Sequence, residues 1–250
     1  MANTIAILQA RTTSRRLPAK VLKPVAGEPL LQRMIERVLL CRRIDRLVVA
    51  TSTDPSDDPV DDIARRMNVE CFRGSLDDVL DRFYQAASIW QAEHIVRLTA
   101  DCVLADPALI DEVIDRYRRG RHEYCSNVTD RTFPVGLDAE VFSFAALQTA
   151  WLETEAPYDR EHVTPFLRRS PVRFVHGVVK DQIDRSHMRW VVDEPEDLLF
   201  VNRVFERLYP FGINFTREDI FELLEECPEL SSINAHCGAQ RSRLNERLAA

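Results

Sequence analysis

The feature that most restricts the fold is a rhythm in the first 120 residues. Short apolar runs alternate with longer amphipathic stretches, several of them opened by Asp-Pro. Segments 4–8, 46–51 and 94–98 are apolar at most positions and too short for helices, and 70–72 is a shorter piece of the same kind. Strands buried on both faces have this character. Between them, 29–41 places Leu30, Leu31, Met34, Ile35, Val38 and Leu39 at helical spacing. Asp58-Pro59 starts a helix running to Met67. Ser75 is the expected cap of a third helix carrying Val79, Leu80, Phe83, Tyr84 and Ala87 on one face, and Asp106-Pro107 opens a fourth. An N-cap Asp followed by Pro at the first helical position satisfies the free amides of a helix start. Four such strand–helix units call for a parallel sheet with right-handed crossovers.

After Gly120 the rhythm changes. Segments 124–126, 138–142, 172–175 and 188–192 are expected strands, and 144–153, 159–169, 196–208 and 217–226 expected helices. They should extend the same sheet in a mixed arrangement, giving an α/β fold with a mostly parallel sheet. The expected organisation is one domain over 1–230, followed by a polar, weakly patterned tail over 231–250.

Charge narrows the function. The net charge of −7 argues against a nucleic-acid partner, which would ask for a basic face. No apolar run approaches the roughly 18–20 residues of a membrane span. Six cysteines stand without CxxC or zinc-like spacing, so reduced thiols in a cytoplasmic protein are expected. Yet residues 1–43 carry Arg11, Arg15, Arg16, Lys20, Lys23, Arg33, Arg37, Arg42 and Arg43 against Glu28 and Glu36. A small polyanion is a local reason for such a segment.

Open α/β sheets bind ligands outside the carboxyl ends of their strands, and three features fall there. The loop 9–20 follows the first strand and holds Ala10, Arg11, Ser14, Arg15, Arg16 and Lys20. Guanidinium forks and an ammonium suit phosphate oxygens, with hydroxyls and loop amides completing an anion nest. The loop is not a Walker A motif, and its competing reading is a solvated run of charge. Thr99-Ala100-Asp101-Cys102 ends the fourth strand, where a carboxylate can hold a magnesium ion against a triphosphate. The other reading of Asp101 is a turn cap, although Asp106 already fills that place before Pro107. Asp193 precedes Pro195 and forms a plausible carboxylate pair with Asp101, while Glu196 and Asp197 favour the helix N-terminus.

These motifs, with Arg73-Gly74-Ser75, Asp77-Asp78-Val79-Leu80, Arg97–Cys102 and Arg189–Leu198, resemble the SpsF-type cytidylyltransferases of spore-coat polysaccharide synthesis. That group lies within the wider set of 3-deoxy-manno-octulosonate and acylneuraminate cytidylyltransferases. The resemblance spans about residues 3–210. It implies a Rossmann-like, three-layer α/β/α nucleotidyltransferase fold of GT-A type, and magnesium-dependent attack of a sugar hydroxyl on the α-phosphate of CTP. By resemblance, Arg11, Ser14, Arg16 and Lys20 fall on the triphosphate-binding signature, and Asp101 and Asp193 on the two metal-binding aspartates. Ala10, Ser75 and Thr99 join the nucleotide-binding set. Lys20, Arg11, Asp101 and Asp193 form the catalytic set. Two departures stand out. Glycine is common in the family where Thr13 and Ala19 stand, and Thr or Ser where Arg15 stands.

A middle segment is expected to select the sugar through Asn127, Asp138, Glu140, Arg160 and His162, with Arg189 beyond it. Arg160 or His162 could meet a sugar carboxylate. For His162 a purely structural role is equally open. The partners implied are CTP, an acidic or amino sugar destined for a surface glycan, and a second copy of the chain. One rival is a GT-A glycosyltransferase with a nucleotide-sugar donor, disfavoured because no Asp-x-Asp stands at an expected strand end. Another is a non-catalytic nucleotide-binding protein, disfavoured by the joint presence of Lys20, Asp101 and Asp193.

Overall fold

In the computed structural model, which describes residues 3–237, the apolar runs become strands of one seven-stranded sheet. The strands are β1 (Thr4–Gln9), β2 (Arg46–Ser52), β3 (Glu70–Gly74), β4 (His94–Thr99), β5 (Tyr124–Ser126), β6 (Glu140–Ser143) and β7 (His176–Val178). They lie in the order β3-β2-β1-β4-β6-β5-β7. The first four are mutually parallel, β6 runs antiparallel to both β4 and β5, and β5 pairs in parallel with β7. The sheet is therefore mixed and mostly parallel.

Side chains alternate between two helical layers, which is why the central strands read as continuous apolar runs. Ala6, Leu8, Leu47, Val49, Val96 and Leu98 face one core. It is closed by α1 (Leu30–Val38), α2 (Asp58–Arg66), α4 (Pro107–Gly120), α8 (Pro195–Leu208) and α9 (Arg217–Glu226). Ile5, Ile7, Val48, Ala50 and Ile95 face the other, closed by α3 (Val79–Ile89), α5 (Phe144–Glu153), α6 (Pro157–His162) and α7 (Pro165–Arg168). With a helical layer packed on each face of the sheet, this is a three-layer α/β/α fold.

Several boundaries differ from the sequence reading. Asp106 caps α4 as expected, accepting from the Ala108 amide at 2.9 Å. Asp58 is instead the first residue of α2, after a 3₁₀ turn over Pro55–Asp57. The cap of α3 is Asp78, which accepts from the Asp81 amide at 2.9 Å; Ser75 Oγ accepts from the Asp78 amide one step earlier. Segment 159–169 divides into α6 and α7, because Val163 takes φ +70° and Pro165 cannot continue an amide ladder. The strand expected at 172–175 lies later, at β7. Arg173 and Phe174 are turned back onto the Ser170 carbonyl, and pairing with β5 starts only at Val175. Segment 188–192 makes a single parallel bridge, Arg189 to Val135, rather than a strand. The expected strand at 138–142 starts two residues later, with Asp138 left in the preceding turn.

A short helix, α10 (Glu229–Ser232), follows α9 and packs on α8 and α9. Part of the expected tail, 238–250, lies outside the described residues. Among the described residues no helix is long and apolar enough to cross a membrane. All six cysteines are free. The chain winds from β1 outward to β3, then returns to β4 on the other side of β1, so Gln9 and Thr99 stand side by side where the winding reverses. Their loops diverge and open the crevice in which such sheets take ligands.

Candidate active site

The loop after β1 is folded on itself before any ligand is considered. The Ala10 amide continues the sheet by donating to Ala50 O at 3.1 Å, and Ala10 is buried. The amides of Ser14 and Ala19 both donate to Thr12 O, at 2.8 and 3.0 Å. Thr12 is itself held by Asp57, whose Oδ1 accepts from its amide at 2.7 Å and its hydroxyl at 2.8 Å. The other Asp57 oxygen accepts from the amide and hydroxyl of Ser52 at the end of β2. Leu17 is buried in the core below and leaves Arg15 and Arg16 exposed. Ala19 adopts φ +52°, ψ +32°, a left-handed conformation that a glycine takes without steric cost. Ala19 thus makes, at a steric cost, the turn that a glycine would make freely.

That turn aims Lys20 into the crevice. Its ammonium donates to Asp101 Oδ2 at 2.7 Å, Asp193 Oδ1 at 2.8 Å and Val192 O at 2.9 Å, which uses all three protons. Arg16 adds an ion pair to Asp193 Oδ2 at 2.7 Å and a longer one to Glu194 at 3.5 Å. The Val192 amide donates to Asp101 O at 2.9 Å, so the two aspartate-bearing loops are joined directly. Burial pulls the Lys20 pKa down, but the two carboxylates outweigh it and the net shift is upward. Burial likewise pushes Asp193 up, and Lys20, Arg16 and Arg189 reverse this to a net lowering. Both groups are thus held charged. Two carboxylate oxygens meeting at one ammonium nitrogen are a hard, anionic donor pair converging on one point. That donor set fits a magnesium ion.

Asp193 is supported from behind. Gly136 (φ +113°) lies so close to the 190–191 backbone that a Cβ would stand 2.5 Å from Val191 N. Only a glycine permits that approach. Arg189 is buried and gives Nε and Nη2 to the two oxygens of Asp197 at 2.8 and 2.7 Å, with Asp193 Oδ2 3.4 Å away. The sequence reading put Arg189 toward the substrate; here its guanidinium is taken up by these two carboxylates. Asp197 is fully buried and also accepts from the amides of Asp193 and Glu194, both at 2.9 Å.

The remaining expected residues spread along the same carboxyl edge. Arg11 reaches Glu161 on α6 at 3.3 Å across an exposed gap. Thr99 pairs its hydroxyl with the Cys102 thiol at 3.1 Å, and Ser75 lies exposed at the start of the α3 turn. Asn127 is fully buried and clasps the 137–139 backbone, donating to Leu137 O and accepting from Ala139 N. Asp138 is paired bidentately with Arg131, and Arg160 with Asp78. Glu140 is buried between Arg97 and Tyr124; burial raises its pKa, and Arg97 and Arg168 bring the net shift below its ordinary value. Burial lowers the pKa of His162, half-buried on α6; Glu161 opposes the shift, and the positive charge of Arg97, Arg168 and Arg11 adds to it. Lys20, Asp101, Asp193 and Arg16 therefore come together, whereas Asn127, Asp138, Glu140 and Arg160 are engaged with protein partners.

Two supporting residues escaped the sequence reading. Asp57 holds the loop across 45 positions, and nothing local in the sequence marks that contact. Asp197 was read as a helix-start charge. In the structure it closes a capping box with Glu194 and also takes up Arg189.

A family model described as cytidylyltransferase matches residues 5–226. An uncharacterised protein of Methanocaldococcus jannaschii is 32% identical over 237 residues, covering 93% of this chain and 94% of that one. The spore coat polysaccharide biosynthesis protein SpsF of Bacillus subtilis is 29% identical over 218 residues, with 83% and 88% covered. A 3-deoxy-manno-octulosonate cytidylyltransferase of Geobacter sulfurreducens is 38% identical over 112 residues, 45% of this chain and 44% of that one. The solved structure of a cytidylyltransferase from Leptospira borgpetersenii serovar Hardjo-bovis superposes with a TM-score of 0.88 at 30% identity, with 92% and 97% covered.

Proposed function

The chain belongs to the cytidylyltransferase family, and from that premise we propose that it transfers CMP from CTP to an acidic sugar used in a surface glycan. The acceptor hydroxyl oxygen forms a bond to the α-phosphorus, the bond from that phosphorus to the bridging oxygen breaks, pyrophosphate leaves, and the hydroxyl proton passes to solvent. The observation that carries this reading is the convergence of Lys20, Asp101 and Asp193 where the basic loop after β1 meets the end of β4.

Phosphoryl chemistry of this kind asks the protein chiefly to position and to neutralise. Arg11, Ser14, Arg16 and Lys20, with the amides around Ala10, would grip the triphosphate, and Ser75 and Thr99 would border the nucleotide. Asp101 and Asp193 would hold magnesium, which when bound supplies charge to offset the triphosphate. Lys20 Nζ occupies the point on which both carboxylates converge, so ammonium and divalent ion compete for it. A triphosphate gives the ammonium its alternative partner. Loading should therefore favour nucleotide and metal together.

The preference for an acid rests on charge. His162 on α6 lies beside Arg97, Arg168 and Arg11, with Glu161 opposing their charge, on the edge that borders the phosphate loop. A sugar carboxylate there would take Arg11 from its exposed pairing with Glu161, which a neutral sugar would not do. The relative acting on 3-deoxy-manno-octulosonate supports an acidic sugar, and the one in spore coat polysaccharide biosynthesis supports a surface glycan. A homodimeric, cytoplasmic enzyme remains part of the proposal. Asp101→Asn and Asp193→Asn should each lower pyrophosphate release from CTP on the order of 100-fold. Undiminished turnover in both would remove the metal assignment.

A further inference from the structure

We propose that Asn234, beyond the 5–226 span matched by the family, is a positioning residue that sets the catalytic aspartate Asp193 from behind. The inference rests on the reading of Asp193 as a metal-holding carboxylate. Asn234 lies in the stretch whose composition reads as a polar tail, yet it is 3% exposed. Its amide nitrogen donates to Arg189 O and to Asp197 Oδ1, both at 2.9 Å. The segment is brought there by α10, whose Leu230 is buried in the same core as α8 and α9.

The donors on Asp197 show what this contact does. Oδ1 accepts from Arg189 Nε and Asn234 Nδ2; Oδ2 accepts from Arg189 Nη2 and from the amides of Asp193 and Glu194. Asp197 thus fixes the Asp193 backbone through one oxygen and the Arg189 fork through both, and Arg189 Nη2 stands 3.4 Å from Asp193 Oδ2. Asn234 closes the network by holding the carboxylate and the Arg189 main chain at once. Without it, the Arg189 carbonyl loses a buried donor and Oδ1 keeps one partner. A buried polar network with a missing member is costly and poorly ordered. The Asp193 carboxylate is the part of that network that faces the crevice.

A merely structural Asn234 would affect stability alone. A positioning Asn234 also affects the metal, because outer partners of metal-holding groups typically change metal affinity by 10–100-fold. The test is Mn²⁺ binding followed by electron paramagnetic resonance with saturating CTP and no acceptor, for the wild-type full chain, Asn234→Ala, Leu230→Ala and Asp193→Asn. Asn234→Ala should weaken Mn²⁺ binding about tenfold. Leu230→Ala, which removes core packing but keeps the Asn234 amide, should lower the melting temperature while weakening Mn²⁺ binding less than Asn234→Ala does. Wild-type Mn²⁺ affinity in Asn234→Ala, beside weakened binding in Asp193→Asn, would overturn the proposal alone. Unchanged binding in Asp193→Asn would instead overturn the reading of Asp193. If Asn234→Ala does not fold, Asn234→Ser, which keeps a shorter donor, should show a smaller weakening in the same direction, and no weakening there overturns the proposal.

Discussion

Lys20 is where the site's charge is concentrated: one ammonium with three acceptors within 2.9 Å, two of them carboxylates. Replacing it with methionine should lower CTP affinity and, without nucleotide, let Mn²⁺ bind more tightly than to wild type, because the competing cation is gone. Equal or weaker Mn²⁺ binding in titration calorimetry would show that the ammonium does not stand in the metal's place. Ala19 gives a second test at this scale. At φ +52° it carries the steric penalty of the left-handed region, so Ala19→Gly should be neutral to about 1 kcal/mol stabilising in urea unfolding, against the usual loss when a glycine is introduced. Lys20, Asp101 and Asp193 were legible because each follows a strand or opens a helix, and strand ends are where such sheets bind ligands. Asp57 and Asn234 were not, because their partners lie 45 and 37 residues away, and an Asp or Asn in a polar stretch looks like any solvated side chain.

Among the elements, α1 shows how the ligand-binding edge is braced. Its Arg37 is fully buried and has no carboxylate partner among the described residues. It donates to Ala105 O at 2.8 Å, Ile213 O at 2.7 Å and Phe215 O at 3.0 Å, and lies 4.0 Å over the Phe215 ring. Burial draws its pKa down to about 10. One side chain thus ties α1 to the turn that follows Asp101 and to the approach to α9. Arg37→Leu leaves three carbonyls without this donor and should cost on the order of 3 kcal/mol in denaturant unfolding. A loss below about 0.5 kcal/mol, the range of ordinary surface substitutions, would show that the tie carries no load. The basic N-terminal segment therefore serves two ends, since Arg33 and Arg37 are structural while Arg16 and Lys20 face the crevice. Helices α5 and α9 were legible to the residue, and α4 from its Asp-Pro start. The 159–192 region was not. There the chain is set by turns and single bridges, in which Pro165 and the partner carbonyls outweigh apolar pattern.

Over the whole molecule, acidity should act through histidines rather than through the crevice. Burial lowers the pKa of His94, His122 and His162 below the ordinary value of 6.5. Below that value the unfolded chain binds protons that the folded chain resists, so stability rises with pH across this window and falls as pH drops through it. The melting temperature should decrease from pH 7 to pH 5.5, and His122→Phe should flatten the slope; a melting temperature constant over that range would contradict the assignment. The α/β architecture and the phosphate end of the site were open to sequence reasoning because both follow from periodicity and charge. The sugar end was obscured because Asn127, Asp138, Glu140 and Arg160 have the residue types of a sugar site while being engaged within the protein. The most direct test of the central claim is to incubate the full chain with CTP, magnesium and a panel of acidic and neutral sugars, measuring pyrophosphate and the mass of any nucleotide-sugar formed. The account expects stoichiometric pyrophosphate and CMP-sugar with an acidic sugar, and loss of both in Asp193→Asn. Turnover with neutral sugars alone, or a CMP-sugar formed equally well by Asp193→Asn, would contradict it.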